Sequence, residues 1–132
     1  MEVKTSTKEK FHVINVETQH LSANMTEVLC GQLLGYLSVD IRNIVLNLQV
    51  ASMDEEAAEN LVKLQQQFYE NEASFVVWGL SEDLQQFLDD KNLLELMNVT
   101  RTESEAWDIV QMEEIERDLL GDEDSMQEGM VQ

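Results

Sequence analysis

The period of apolar positions changes several times along the 132-residue chain, and each change predicts an element. The first ten residues alternate loosely (Val3, Thr5, Thr7), which predicts an edge strand. "FHVINVE", residues 11–17, is β-branched and apolar and predicts a second strand. From about Asn24 to Leu37, Met25, Val28, Leu29, Leu33, Tyr36 and Leu37 mark one face of a helix. "NIVLNL", residues 43–48, is a continuous apolar run of the kind found in strands covered on both faces. Asp54 to about Glu70 carries Ala57, Leu61, Leu64 and Phe68 at helical spacing. "SFVVWG", residues 74–79, predicts another buried strand, after which Ser81 caps a short helix with Leu84, Phe87 and Leu88 inward. "LMNVT", residues 96–100, is a weaker strand signal. Thr102 then precedes a helix carrying Ala106, Ile109, Met112, Ile115 and Leu119 at spacings of three and four.

Two strands followed by alternating helix and strand, joined by short connections, imply an α/β fold. We expect one domain over residues 1–120, a mixed β-sheet of four or five strands with about four helices packed on it. No internal repeat or interdomain linker interrupts it. After Leu120 the apolar pattern stops, and the acidic "GDEDSMQEGMVQ", residues 121–132, is expected to be a solvated, disordered tail.

Composition narrows the partners. An apolar fraction of 43% is ordinary for a globular chain, but the formal net charge is −19. Nucleic acid and anionic membrane surfaces repel such a chain, whereas a basic protein partner suits it. The start, "MEVKTSTKEK", lacks an apolar signal core, and no stretch approaches membrane-spanning length, so a cytoplasmic location without membrane insertion is expected. Cys30 is the only cysteine and lies in a helical apolar pattern, which marks it as a structural thiol.

Enzyme signatures are scarce. There is no phosphate loop, no GxSxG elbow and no HExxH or CxxC pair. His12 and His20 are the only histidines, one in a predicted strand and one in a polar segment, with no evident common role. Asp122, Glu123 and Asp124 lack the spacing of a calcium loop. We therefore expect no catalytic residue, no metal and no cofactor.

The acids Asp54, Glu55 and Glu56 directly follow an apolar strand and open a helix. Ser52 with Glu55 matches a capping box, Asp54 is itself a good N-cap, and first-turn acids suit the positive end of the helix macrodipole. Trp78 ends a buried strand at the sheet's carboxyl edge, where open α/β sheets usually bind ligands, and so is a candidate contact.

In order, these elements resemble the STAS domain, the family of bacterial anti-sigma factor antagonists and related modules, over roughly residues 3–118. "DIRNIVLNLQVASMDEEAAENL", residues 40–61, is similar to the family's central strand, short loop, Asp-Ser-Ser-Gly motif and helix. "VVWGLSEDLQQFLDDKNLLELMNVTRTESEAW", residues 76–107, resembles its second half. In phosphorylatable members a partner anti-sigma factor acts as a serine kinase on the first serine of the motif, and phosphorylation breaks the complex.

The resemblance places Asp54 at the motif's aspartate, Glu55 at the phosphoacceptor serine, Glu56 at the second serine and Ala57 at the glycine. The preceding loop is one residue shorter than usual, and the family aspartate after the second strand has no counterpart in "ETQHLSAN", residues 17–24. Phosphoserine carries about −1.5 to −2 charge, so the resemblance implies a switch that is either lost or fixed by the three clustered carboxylates in an imitation of the phosphorylated state, although planar carboxylates present their oxygens differently. The resemblance thus implies a non-catalytic, protein-binding signalling module acting in regulation of transcription. Its contacts would be Ser52, Asp54, Glu55, Glu56, Ala57 and Trp78, and its partner an anti-sigma factor or serine kinase. A structural subunit of a transporter-associated or other multi-protein assembly is the alternative. The oligomeric state stays open, a homodimer included. Nucleotide binding, a property of some relatives, is not expected where carboxylates already fill the helix terminus.

Overall fold

In a computed structural model the backbone is described for residues 1–131 and the side chains for residues 1–120. The tail expected over residues 121–132 lies outside the fully described residues. The elements in order are β1 (Glu2–Thr7), β2 (Phe11–Leu21), α1 (Ala23–Leu34), β3 (Asn43–Met53), α2 (Glu55–Glu70), β4 (Phe75–Trp78), α3 (Glu82–Asp90), β5 (Val99–Thr100) and α4 (Glu103–Val131). Single 3₁₀ turns, Gly35–Ser38 and Leu94–Leu96, follow α1 and precede β5.

The five strands form one mixed sheet in the order β1-β2-β3-β4-β5. β1 runs antiparallel to β2, and the remaining neighbours are parallel. Each parallel step advances the sheet in the same direction, so right-handed crossovers place the connecting helices α1, α2 and α3 on one face. Ile44, Leu46, Leu48 and Val50 of β3 meet Leu29 and Leu33 of α1, Leu61, Leu64 and Phe68 of α2, and Leu84 and Leu88 of α3 there. The alternate residues face α4: Phe11, Val13, Val45 and Val76 pack with Ala106 and Val110, and Trp78, Trp107 and Ile109 pack at the margin.

β2 and β3 each run past their predicted ends, to Leu21 and Met53. Periodicity reads side-chain burial, whereas the ladder is a backbone property. Pairing continues in register through Glu17↔Gln49, Thr18↔Val50 and His20↔Ser52 after the outer side chains have reached solvent. α1 conversely stops at Leu34, with the expected last turn tightened into 3₁₀.

The orientation of α4 corrects the sequence reading. Met112, Ile115 and Leu119 continue the helical spacing of Ala106 and Ile109 as one apolar stripe, yet they are 59%, 56% and 57% exposed. Ala106 and Val110 are buried instead, and the same side of the helix carries Glu114 and Arg117 to the sheet. The lower end of the sheet accounts for the rotation, because it presents buried Asn43 and Ser74, whose polar atoms need partners. Asn43 Nδ2 donates to Glu114 Oε1 (2.8 Å) and to the Lys10 carbonyl (3.0 Å). Its Oδ1 accepts from the Ser74 N–H (2.8 Å) and from Arg117 Nη2 (3.3 Å). Arg117 also donates to Ser74 Oγ through Nη1 (3.2 Å). Polar satisfaction decides which side of α4 faces in.

Candidate functional site at the carboxyl end of the sheet

β2 and β3 end one residue before the chain turns into α1 and α2, so two helix N-termini meet at this edge. In-register pairing sets His20 beside Ser52 and Leu21 beside Met53, and the Asp54 N–H bonds the Leu21 carbonyl at 3.0 Å. These backbone constraints bring three side chains into a chain of hydrogen bonds. His20 Nε2 lies 2.8 Å from Asp54 Oδ1, and His20 Nδ1 lies 2.8 Å from Ser52 Oγ. The second oxygen of Asp54 accepts the Ala23 N–H of α1 at 3.0 Å.

The capping box read from the sequence does not form. Asp54 is the N-cap of α2 by its backbone but makes no side-chain cap bond, and Ser52 belongs to β3 and bonds His20. A capping box requires its serine to be the N-cap itself, and Ser52 stands two residues upstream of that position. The Asp54 carboxylate is drawn instead to the neighbouring helix, where α1 has no acid in its first turn.

With a carboxylate as acceptor, Nε2 of His20 carries a hydrogen. In the neutral ring Nδ1 is then the acceptor, so the Ser52 hydroxyl donates to it; in the protonated ring both nitrogens donate. The His20 hydrogen bond, followed by the Ala23 N–H, holds the Asp54 carboxyl below its ordinary range. A lowered folded-state value makes Asp54 stabilising above the ordinary carboxylate value of about 3.9. That contribution is lost as pH falls through the lowered value. Asp54→Asn is therefore expected to lose less melting temperature than the parent between about pH 5 and about pH 2. Equal losses in thermal melts across that window would mean the clasp does not form in solution.

The remaining candidates separate clearly. Glu55 and Glu56 are exposed beside the clasp, and Lys91, the C-cap of α3, reaches Glu55 Oε2 at 3.7 Å. Ala57 is fully buried beneath them. Trp78 is half-buried on the opposite, α4 face and does not join the acids. Next to Ser52, a shallow cavity of about 280 Å³ is lined by Ala51, Met53, Asp83, Leu84 and Phe87. Gly79, at φ +86°, follows β4 where a side chain would collide with Asn47 Oδ1.

His20 is the residue that sequence reading missed. No local pattern marked it, because residues 17–20 are polar and only the β2–β3 register sets His20 beside Ser52. His12 has a different environment: it is buried, bonds Thr7 Oγ1 and the Ile41 carbonyl (each 2.9 Å), and packs against Tyr36. Burial raises the Cys30 thiol to about 11, which keeps it protonated near neutrality. Among the described residues no cluster of three or more His, Cys, Asp or Glu is placed to hold a metal, and no helix is long and apolar enough to cross a membrane.

The sheet order, helix placement and edge geometry define a STAS-like fold. No family model matches the sequence, and no curated protein matches it. Solved structures do match in three dimensions. A STAS domain protein from Planctomyces limnophilus is 18% identical, with a TM-score of 0.66 over 79% of this chain and 93% of that one. A serine-to-glutamate variant of RsbS from Moorella thermoacetica is 16% identical, with a TM-score of 0.69 over 84% and 96%. An anti-sigma factor antagonist from Mycobacterium paratuberculosis is 12% identical, with a TM-score of 0.70 over 83% and 93%.

Proposed function

We propose that this chain is a non-catalytic regulatory module that binds a protein partner through the carboxyl end of its sheet, around residues 50–62. The observation that carries this reading is the exposed, acidic start of α2 beside the His20–Ser52–Asp54 clasp, on a STAS-like fold. Glu55 stands where phosphorylatable relatives carry their acceptor serine, so the negative charge at this position is permanent. The clasp ties Asp54 to β2 and α1, giving the acids a rigid base, and the groove along Leu84 and Phe87 supplies apolar area next to them. A partner of the anti-sigma factor or serine kinase class would meet this surface with a basic face. Trp78 lies outside it.

Affinity purification with mass spectrometry tests the proposal, comparing the parent, Glu55→Ser and the pair Glu55→Lys with Glu56→Lys. Charge reversal is expected to reduce recovery of the partner by about tenfold or more. Identical recovery from all three preparations would place the interface elsewhere.

A structural subunit of a multi-protein assembly is the second reading, and the outward apolar stripe of Met112, Ile115 and Leu119 is what favours it. In the same experiment, partners lost on replacing that stripe with glutamines but retained on charge reversal would select it.

A further inference from the structure

We propose that Ser52 is a phosphoryl-acceptor hydroxyl, with His20 as the base that takes its proton and Asp54 as the residue that positions His20. This inference rests on the regulatory reading above and names a modifiable charge for that same surface. Three observations carry it. Ser52 is exposed and its Oγ lies 2.8 Å from His20 Nδ1, the nitrogen left as acceptor when Nε2–H is given to Asp54. The carboxylate that fixes the ring also stabilises the imidazolium formed by proton transfer, the general logic of a base oriented by a third group. Ser52 stands two residues before Asp54, the N-cap of α2, and no side chain caps that helix, so its first backbone donors are available to phosphoryl oxygens.

Other hydroxyls are differently engaged. Ser22 and Ser81 accept backbone N–H bonds as helix caps, and Ser74 is buried against Arg117. Thr7 also touches a ring nitrogen, on His12, but that ring is held by a carbonyl, which carries no charge to stabilise an imidazolium. Thr7 is therefore an internal control.

Ser52 Oγ attacks the terminal phosphorus of a nucleoside triphosphate held by a separate serine kinase, and a new O–P bond forms. The bond from that phosphorus to the bridging oxygen breaks, and the nucleoside diphosphate leaves with the electron pair. The hydroxyl proton passes to His20 Nδ1. Metal ions brought by the kinase offset the charge of the surrounding acids. Phosphate at Ser52 adds about −1.5 to −2 charge immediately beside Glu55 and Glu56.

The nucleophile can be read without the kinase, using diisopropyl fluorophosphate as phosphoryl donor. An O–P bond forms at Ser52, fluoride leaves, and His20 takes the proton. Intact-mass and peptide mapping are expected to find Ser52 labelled before Thr7 and every other hydroxyl. Labelling should slow by about tenfold or more in His20→Gln, which preserves hydrogen bonding but cannot take the proton, and in Asp54→Asn. Added imidazole should restore the rate in His20→Ala, an effect that loss of a purely structural contact would not show. An unlabelled Ser52, or equal rates in parent and His20→Gln, overturns the proposal. Because no partner is present, that outcome leaves the acidic-surface reading standing, and loss of partner binding in turn leaves the labelling result intact.

Discussion

Leu46→Ala is expected to lower the free energy of unfolding by about 3–5 kcal/mol, the range of buried Leu→Ala changes whose surroundings relax poorly. Leu46 sits at the middle of the central strand and is fully buried, paired with Ile14 on one side and Val77 on the other. Both neighbours are held by ladder hydrogen bonds, and α1 and α2 close the face above. None of these elements can move in to refill the space without breaking its own pairing. A domain of this kind has about 5–15 kcal/mol in total, so the variant should be near the edge of stability. Urea unfolding would show a lower midpoint at unchanged slope. A loss below about 1 kcal/mol would mean that this face is not close-packed.

Asn43→Ala should cost about 2–4 kcal/mol although it removes little apolar volume. The side chain ties the Lys10 carbonyl, the Ser74 N–H, Glu114 and Arg117 together at the lower end of the sheet. Truncation leaves the Ser74 N–H buried without its partner and removes one of the attachments of α4. The helix retains only Ala106 and Val110 as buried apolar contacts, with Trp107 and Ile109 at the margin. Hydrogen exchange is therefore expected to accelerate across residues 106–117 more than across α2. Unchanged protection there would show that apolar contact alone fastens α4.

These two sites also mark what was legible in the chain. Leu46 was readable because burial on both faces leaves an unbroken apolar run, and "NIVLNL" declares it. Asn43, the first residue of that run, carried no such mark. A buried asparagine is identified by its partners, and those partners come from the turn before β2, the approach to β4 and α4. The misjudged stripe of α4 has the same origin. Met112, Ile115 and Leu119 repeat at helical spacing as core residues do, and local pattern contains nothing to say that Glu114 and Arg117 are required inside.

At the candidate site the division is equally specific. The acids of 54–56 at a helix start, and the position of that helix after the central strand, were readable from order and periodicity alone. His20 was not: it lies 32 residues from Ser52 and 34 from Asp54, and only parallel pairing brings them together. The apparent capping box was a local match that failed because Ser52 lies in β3, two residues before the N-cap, and bonds His20 instead.

The sequence by itself determined the element order, the α/β class and which residues of the strands and of α2 are buried, because side-chain periodicity follows directly from backbone geometry. Tertiary structure alone decided the outward turn of α4 and the meeting of His20, Ser52 and Asp54. Both depend on hydrogen-bond partners distant in the chain, and a polar group's partner is set by where the fold brings it.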